Sequence, residues 1–546
     1  MPVLIDKLNN IWARVVWQGR DPTESTFANP LSYLDNNFAI YVPNFQFSKR
    51  FKERKVTRYD GKYHLFKKEY GVLPIGLVKE AYLLLKESGF KVKVTENIKD
   101  SFKNPEYNKE DVSEFIINIR NELLSKVGYT PYDYQEAALI RSIRTKRALF
   151  ESPTGSGKSL TLYLIIRYLI KMHPENEFKL LISVPSRSLV TQMYRDFKDY
   201  GWDDIDIYVG QYSSDFSIKE RNISLDKKIL LSVNDSIDNL ISKNKEFCNI
   251  YSAVFVDEAH KAKEPEESKR LMRILQSCEN ASYRIAMTGT IPKNKLFEKN
   301  LEGAFGKKEI LTETKDLQDL GILSDCEIFK VEIPYELSSV KFLKTNKVSY
   351  NDEVELTRLN NSKLYSISYL INQGYIKSNE NTLILCNKIE NGEFMDLVNH
   401  IKQNHKEFSV EMINGSIKGK ERDRIITSMN NREGVIIVAT YSTMSTGVNI
   451  KKLHNCIFAS SIKSYESVIQ SIGRVLRTHS TKVEAKIFDL VDELKVKKRT
   501  GEYWRSYLNT QWKVRESYYQ EKKFKISKIE IPKTFSILNI EYELSK

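Results

Sequence analysis

The chain has 546 residues, of which 41% are hydrophobic, and its formal net charge is +14 at pH 7. This length and apolar content predict three or four globular domains and exclude a disordered chain. The five cysteines lack the paired spacing of a metal site or of a disulfide framework, so we expect reduced, buried thiols.

No segment has the character of a membrane span or of a secretion leader. The most apolar stretch, Leu160–Ile170, is short and contains Arg167, and no basic segment followed by an apolar one opens the sequence. We therefore expect an intracellular, cytoplasmic protein without membrane association.

Residues 1–115 form a separate aromatic-rich unit, predicted to be a small α+β domain. Between Pro43 and Tyr70 nine Lys or Arg residues face three Asp or Glu residues, and aromatic residues lie among them, including Phe45, Phe47, Phe51, Tyr59 and Tyr63. Such a segment binds nucleic acid by charge and stacking, or its aromatic residues form a small core below a solvated basic face. The candidate DNA contacts here are Lys49, Arg50, Lys52 and Arg54.

From about residue 130 onward, short β-branched runs alternate with helical periods, which is typical of α/β domains with parallel sheets. The first set of predicted strands is Arg147–Ser152, Lys179–Val184, Lys228–Val233, Ser252–Val256 and Arg284–Met287. The second set is Thr382–Cys386, Ser409–Ile413, Val435–Ala439, Cys456–Ala459 and Ala485–Leu490. We therefore predict two tandem doubly wound domains, at residues 116–315 and 316–495.

The last segment, residues 496–546, is predicted to be largely helical, basic and aromatic. From Lys495 onward thirteen Lys or Arg residues face six Asp or Glu residues. As in the N-terminal segment, these residues either bind nucleic acid or form a small aromatic core below a solvated basic face.

A phosphate-binding loop follows the first predicted strand of the α/β region. Glycine-containing backbone would curl around the phosphates, Lys158 would neutralise them, and the Ser159 hydroxyl would reach Mg²⁺ at a helix N-terminus. The residues predicted to bind a nucleoside triphosphate are Pro153, Thr154, Gly155, Ser156, Gly157, Lys158 and Ser159. The cofactors indicated are therefore ATP and Mg²⁺.

Two further motifs complete the candidate catalytic set. Asp257 and Glu258 follow an apolar run, where Asp257 would hold Mg²⁺ and Glu258 would orient and deprotonate water. Much later, Arg474 and Arg477 share a helical face with Gln470, and their guanidinium groups suit the charge that develops on a transferred phosphate. Both motifs also have a structural interpretation. The acidic pair would then cap a helix, and the basic helix would be an ordinary solvated surface.

In order and spacing, these motifs resemble those of the superfamily 2 helicases over residues from about 130 to 490. The resemblance implies two RecA-like domains, ATP binding between them, an adenine-reading element at Tyr134 and Gln135, and further ATP contacts at Gly447 and Asn449. It also implies coupling residues at His260, Thr288, Thr290 and Gln470, with Arg477 as the principal arginine finger and Arg474 as its partner. Nucleic-acid backbone contacts are implied at Pro185, Arg187, Gln192, Asn387 and Thr440.

Flanking runs such as Glu24–Phe27 and Leu73–Val78 are similar to those of the recombination and branch-migration DNA helicases within this superfamily. Ala259 departs from that group, which has Cys there, and Thr288-Gly289-Thr290 departs from the more usual Ser-Ala-Thr. The resemblance implies an ATP-dependent DNA helicase or translocase for branched or forked DNA in recombination, repair or replication. It implies a monomer that works with recombination or single-strand-binding proteins, and 3′-to-5′ movement.

Three other functions stay open from the sequence. The same motifs serve RNA helicases, because discrimination depends on contacts with the 2′-hydroxyl. An ATP-gated clamp or remodelling motor that never separates strands would share every motif, as would the motor subunit of a restriction complex.

Overall fold

The computed structural model describes residues 2–17, 29–43, 60–102, 106–175, 177–202, 205–208, 227–263, 265–291, 294–336, 349–359, 361–387, 392–417, 419–444, 450–494 and 506–536. The chain divides into two compact units. The first contains Met1–Pro153 and Gly157–Thr312, and the second contains Glu313–Lys546 together with Thr154–Ser156. All five cysteines are free and buried, as expected from the sequence. No helix among the described residues is both long and apolar enough to cross a bilayer.

The N-terminal part of the first unit is a small α+β structure, as predicted. Its described residues form a four-stranded sheet in the order β5-β2-β1-β6 and a separate antiparallel pair of strands, β3 and β4. Side chains such as Val3, Ile5 and Phe66 form one buried core beneath this sheet. The elements are β1 Val3–Lys7, β2 Trp12–Val16, α1 Pro30–Asn37, β3 Ala39–Tyr41, β4 Lys62–His64, β5 Val72–Pro74, α2 Val78–Glu87 and β6 Val92–Val94.

The rest of the first unit is a parallel sheet, whose described strands lie in the order β13-β7-β12-β11-β8-β10-β9. The central strands are buried on both faces, which explains their continuous apolar sequences. The strands are β7 Arg147–Glu151, β8 Lys179–Val184, β9 Ile205–Tyr208, β10 Ile229–Val233, β11 Tyr251–Val256, β12 Tyr283–Thr288 and β13 Lys308–Ile310. The helices are α3 Lys109–Val127, α4 Asp133–Thr145, α5 Lys158–Met172, α6 Arg187–Asp199, α7 Asn234–Lys243, α8 Pro265–Ser277 and α9 Lys295–Phe305.

The second unit contains another parallel sheet, in the order β16-β17-β15-β18-β19-β14-β20, with β21 paired to β14. The strands are β14 Asp325–Glu336, β15 Thr382–Cys386, β16 Ser409–Ile413, β17 Val435–Thr440, β18 Asn455–Phe458, β19 Glu484–Leu494, β20 Lys525–Glu530 and β21 Phe535–Ser536. The helices are α10 Thr314–Asp319, α11 Tyr350–Leu359, α12 Ser362–Asn372, α13 Glu393–Asn404, α14 Gly419–Asn431, α15 Tyr441–Met444, α16 Tyr465–Val475 and α17 Tyr507–Glu521. The predicted pair of doubly wound domains is confirmed.

The C-terminal segment contains the expected helix, α17, but it also contributes β20 and β21 to the second sheet. The boundary predicted at residue 495 therefore separates residues that share one sheet. On α17, Arg515 forms a two-armed ion pair with Asp489 of β19 (2.7 and 2.8 Å), and both side chains are fully buried. The Tyr519 hydroxyl donates to the same carboxylate at 2.7 Å. Among the aromatic residues of this segment, Tyr519 and Trp512 are buried in the core of this unit.

Candidate active site

The predicted phosphate-binding loop joins β7 to α5 at the carboxyl edge of the first sheet. Gly155 and Gly157 have φ values of +90° and +77°, the left-handed region that glycine tolerates. Helix α5 begins immediately afterwards at Lys158. At the start of the loop, the Ser152 N–H donates to the Thr288 carbonyl oxygen of β12 at 2.9 Å. The backbone thus forms a cradle at a helix N-terminus, which suits an anion.

Gln135 on α4 is bonded to this cradle. Its Nε2 donates to the Gly157 carbonyl oxygen at 3.2 Å, and its Oε1 accepts from the Tyr132 N–H at 3.0 Å. A Cβ atom on Gly157 would lie 2.6 Å from that Nε2, so a side chain here would displace the Gln135 amide in addition to straining the backbone. Tyr134 beside it stacks on Tyr132 with ring centroids 5.7 Å apart. The adenine-reading role of Tyr134 and Gln135 stays a prediction, while the described contacts show that Gln135 supports the loop.

The acidic pair follows β11, at the same edge of the sheet as the loop. The Asp257 N–H donates to the Ser183 carbonyl oxygen at 3.2 Å, and the Glu258 N–H donates to Asp257 Oδ1 at 2.8 Å. Glu258 has a φ of +51°, which is unfavourable for a residue with a side chain and is typical of functional sites. Its Oε1 lies 3.6 Å from Lys158 Nζ. The fold therefore brings together the lysine and the carboxylate that the sequence assigned to catalysis.

The two carboxylates differ in their electrostatic surroundings. Burial, followed by the charge of Glu258, raises the pKa of Asp257 above its ordinary value. Burial would also raise the pKa of Glu258, but Lys158 and then His260 together lower it below its ordinary value. Because Asp257 is buried beside the charge of Glu258, a cation bound at Asp257 would offset that repulsion. The donor set of Asp257 and the Ser159 hydroxyl therefore fits a hard cation such as Mg²⁺.

His260 connects Glu258 to the predicted coupling residues on β12. Its Nδ1 lies 3.1 Å from Glu258 Oε2 and 3.0 Å from the Thr288 hydroxyl oxygen. The Thr288 hydroxyl donates to the Thr290 carbonyl oxygen at 2.7 Å, so it has only lone pairs left for His260. Because the Glu258 carboxylate and the Thr288 hydroxyl oxygen can both only accept, Nδ1 of His260 carries the proton. Burial lowers the pKa of this imidazole. A close contact therefore joins Glu258 to His260, and hydrogen bonds continue from His260 to Thr288 and from Thr288 to Thr290.

In the second unit, helix α16 contains Gln470 and Arg474, and both side chains are buried. Arg474 Nη1 donates to the Gln470 carbonyl oxygen at 3.2 Å. Arg477 follows the end of the helix, in an isolated bridge with Leu323. The ammonium group of Lys482 donates to the carbonyl oxygens of Val475, at 2.5 Å, and of Arg477. Sequence reasoning missed Lys482, because a single lysine after a basic motif is not distinctive.

The candidate nucleic-acid residues in the described parts of both units lie at strand ends or, for Gln192, in the helix that follows a strand. Pro185 and Arg187 follow β8, and Gln192 lies further along α6, where Arg187 is exposed and the other two are half-buried. In the second unit, Asn387 Nδ2 donates to the Ser461 carbonyl oxygen at 3.2 Å, and the Thr440 hydroxyl lies 3.0 Å from that of Thr443. Asn387 and Thr440 therefore also shape loops at their strand ends. Lys49, Arg50, Lys52, Arg54, Gly447 and Asn449 lie outside the described residues.

Comparison with known families agrees with this geometry. A family described as "Type III restriction enzyme, res subunit" matches residues 128–293, and the "Helicase conserved C-terminal domain" matches residues 362–479. With the two parallel-sheet domains and the motifs at their strand ends, these matches show that the chain belongs to the superfamily 2 helicases, which are ATP-hydrolysing enzymes. Over 495 residues it is 26% identical to the ATP-dependent DNA helicase uvsW of Enterobacteria phage T4, covering 90% of this chain and 91% of that protein.

Solved structures share the fold. The chain resembles Mss116p bound to single-stranded RNA and AMP-PNP with a TM-score of 0.55 and 14% identity, over 79% of this chain and 78% of that one. It also resembles the restriction-modification enzyme LlaBIII bound to DNA, with a TM-score of 0.55 and 18% identity, over 73% of this chain and 31% of that one. At these identities the likeness concerns the fold alone.

Proposed function

We propose that this helicase is a DNA helicase or translocase that acts on branched or forked DNA, with branch migration among its activities. The observation that carries the DNA preference is the extent of the similarity to the phage T4 DNA helicase, which spans 90% of the chain and therefore includes the N-terminal part as well as the motor. If the chain is phage-encoded, it acts in the host cytoplasm with recombination or single-strand-binding proteins, and as a monomer.

The first unit supplies the groups for hydrolysis. Lys158 and the loop N–H groups bind the triphosphate. Ser159 and Asp257 would hold Mg²⁺, which would supply positive charge to the phosphate oxygens. Glu258, whose pKa is held below its ordinary value, is ionised at neutral pH and can orient a water molecule and accept its proton. The strained backbone at Glu258 directs this carboxylate toward Lys158.

The remaining assignments extend the same proposal. Arg474 and Arg477 supply positive charge that makes hydrolysis depend on the second domain, and Gln470, Gly447 and Asn449 support the nucleotide. The backbone contacts assigned to Pro185, Arg187, Gln192, Asn387 and Thr440 grip one strand on the two domains in turn. Such contacts carry little sequence information, so the expected preference is for DNA shape, with strong salt dependence.

The test measures ATP hydrolysis with single-stranded DNA, forked DNA, four-way junctions and RNA, in parallel with strand displacement and branch migration. Wild-type protein is compared with Lys158→Ala and with a matched control, Lys198→Ala, at the exposed far end of α6. We expect DNA, and branched DNA most of all, to stimulate the wild type and the control but not Lys158→Ala.

Two results would contradict the proposal and favour another function. Stimulation by RNA equal to or above that by DNA would indicate an RNA helicase. Hydrolysis without strand displacement or branch migration on any of these substrates would indicate an ATP-gated clamp or remodelling motor.

A further inference from the structure

A large cleft lies inside the first unit, between the N-terminal α+β part and the parallel sheet. Its volume is about 760 Å³. On the sheet side it is bordered by Arg147, Ser282 and Lys307, which stand at or just before the first residues of β7, β12 and β13. The cleft is therefore at the amino edge of the sheet, whereas the phosphate-binding loop and the acidic pair are at the carboxyl edge.

The lining of this cleft is strongly basic. Eight Lys or Arg residues and four Glu residues line it, so positive charge exceeds negative charge by four. Three of the carboxylates are already engaged: Lys299 pairs with Glu80 and Glu302 at 2.7 and 2.8 Å, and Arg141 pairs with Glu309 at 2.5 Å. The remaining lining cations are Lys7, Lys79, Arg144, Lys146, Arg147 and Lys307.

Arg147 shows most clearly that the cleft lacks negative charge. Its guanidinium donates to the carbonyl oxygens of Ala304, at 2.7 Å, and of Asn10, and no carboxylate lies within ion-pair distance among the residues that the structure describes. Burial, followed by the charge of Arg284, lowers the pKa of Arg147. An anion in the cleft would offset both effects.

The walls of the cleft are held at a fixed separation. A Cβ atom on Gly76 would lie 2.1 Å from the Glu302 carbonyl oxygen and 2.7 Å from that of Gly303, so backbone meets backbone there. Asn10 Nδ2 adds a hydrogen bond to the Glu279 carbonyl oxygen at 3.0 Å. The basic surface is thus built into the fold and needs no rearrangement to form.

We propose that this cleft binds the phosphate backbone of a nucleic-acid strand, as a second contact apart from the strand held by the motor. Lys79 lies on α2, Lys146 between α4 and β7, and Lys307 just before β13. All three are exposed, so they line an open passage that suits a chain better than an enclosed small molecule. The inference depends on the proposed DNA activity. A fork whose one strand is held by the motor at the carboxyl edge has its other arm at high local concentration near the cleft. It adds a site to which the motor motifs do not contribute.

The experiment compares the wild type with the triple variant Lys79→Ala, Lys146→Ala, Lys307→Ala. The matched control is Lys198→Ala, Lys243→Ala, Lys245→Ala, three exposed lysines of the same unit outside the cleft. Binding to forked DNA is measured over a range of salt concentrations, and ATP hydrolysis is measured with a short single strand that occupies only the motor. For the cleft variant we expect forked DNA to bind roughly tenfold more weakly, with a salt slope reduced by about one for each phosphate that is no longer neutralised. Hydrolysis with the short strand should stay at the wild-type rate.

A second readout identifies the ligand. Lysine acetylation followed by mass spectrometry should show that forked DNA protects Lys79, Lys146 and Lys307, and that the short strand does not. Wild-type affinity and salt slope in the cleft variant would overturn the proposal, as would protection by free nucleotide but not by DNA. Failure of the proposed function itself would be seen separately, as the absence of stimulation of wild-type hydrolysis by any DNA.

Discussion

His260 Nδ1 and the Thr288 hydroxyl oxygen are 3.0 Å apart, and the hydroxyl proton is already donated to the Thr290 carbonyl oxygen. The imidazole also lies 3.1 Å from Glu258 Oε2, so a displacement of β12 at its carboxyl end would move the side chain that contacts this carboxylate. Under the proposed function, this is a physical route by which nucleic-acid binding would affect hydrolysis.

Substituting Thr288→Val should uncouple the two activities. Valine keeps the shape but removes the acceptor for His260 and the donor to Thr290, at a cost of about 1–3 kcal/mol in unfolding free energy. We expect DNA-stimulated hydrolysis to fall by roughly tenfold, with the DNA-independent rate within about threefold of wild type. Thr288→Ser, which retains the hydroxyl, is the control, and equal loss of both rates in Thr288→Val would argue against a coupling role.

Glu258→Gln should separate binding from chemistry. The amide keeps the size of the side chain but cannot accept a proton, so kcat should drop by about 10²- to 10⁴-fold. Binding of a fluorescent ATP analogue should change little, since Lys158 and the loop N–H groups remain. A comparable loss of nucleotide affinity would show instead that the carboxylate mainly positions Lys158.

Gly76→Ala should loosen the N-terminal part from the first parallel sheet. The added Cβ would meet the Glu302 carbonyl oxygen at 2.1 Å, and the backbone on both sides must shift to admit it. We expect a loss of about 1–3 kcal/mol, measured by urea unfolding, and faster limited proteolysis near the junction. Gly415→Ala, where an added Cβ would meet nothing within 4 Å, is the control.

Lys482 should make the stability of the second unit depend on alkaline pH. Burial, offset in part by Cys326, lowers the pKa of its ammonium group to about 8 from an ordinary value of 10.5. Between these values the unfolded chain binds more protons than the folded protein, so the unfolding free energy contributed by this group rises with pH. The difference between wild type and Lys482→Met in urea unfolding should therefore shift in favour of the wild type from pH 8 to pH 10, by about 1–3 kcal/mol. A difference independent of pH would mean that Lys482 is fully charged throughout, held by its carbonyl partners.

Arg515→Met should destabilise the second unit more than any surface substitution. It would leave the Asp489 carboxylate buried with only Tyr519 as a hydrogen-bond donor among its described side-chain partners, at a cost of about 3–5 kcal/mol in urea unfolding. The double variant Asp489→Asn, Arg515→Met removes both charges and should recover much of that loss. Additive losses would show that the two side chains act independently.

The sequence predicted the sheets well where strands are buried on both faces. The predicted bounds of Lys179–Val184 and Thr382–Cys386 are those of the buried strands β8 and β15. The bounds of the half-buried edge strand β16 were also predicted, as Ser409–Ile413. It missed β14 and β20, whose charged residues resemble those of a loop. In the fold these charges are neutralised across strands, with Lys330 against Glu493 at 3.2 Å and Lys528 against Glu332 at 2.6 Å.

In the active site, too, some features could be predicted from the sequence and others could not. Lys158, Asp257 and Glu258 were predictable because phosphate chemistry fixes their order and residue type. The left-handed backbone of Glu258 and the proton on His260 Nδ1 were not, because each depends on neighbours that are distant in sequence.

Strand β20 changes how the basic C-terminal segment can be studied. The matching helicase domain ends at residue 479, yet the second sheet includes residues up to 536. A chain shortened at residue 495 would uncover the hydrogen-bonding edge of β14 and leave Asp489 without its arginine, which invites aggregation. Loss of DNA binding on such a deletion would report misfolding. The contribution of this segment is therefore accessible only through substitutions at its exposed positions, such as Lys513 and Lys523.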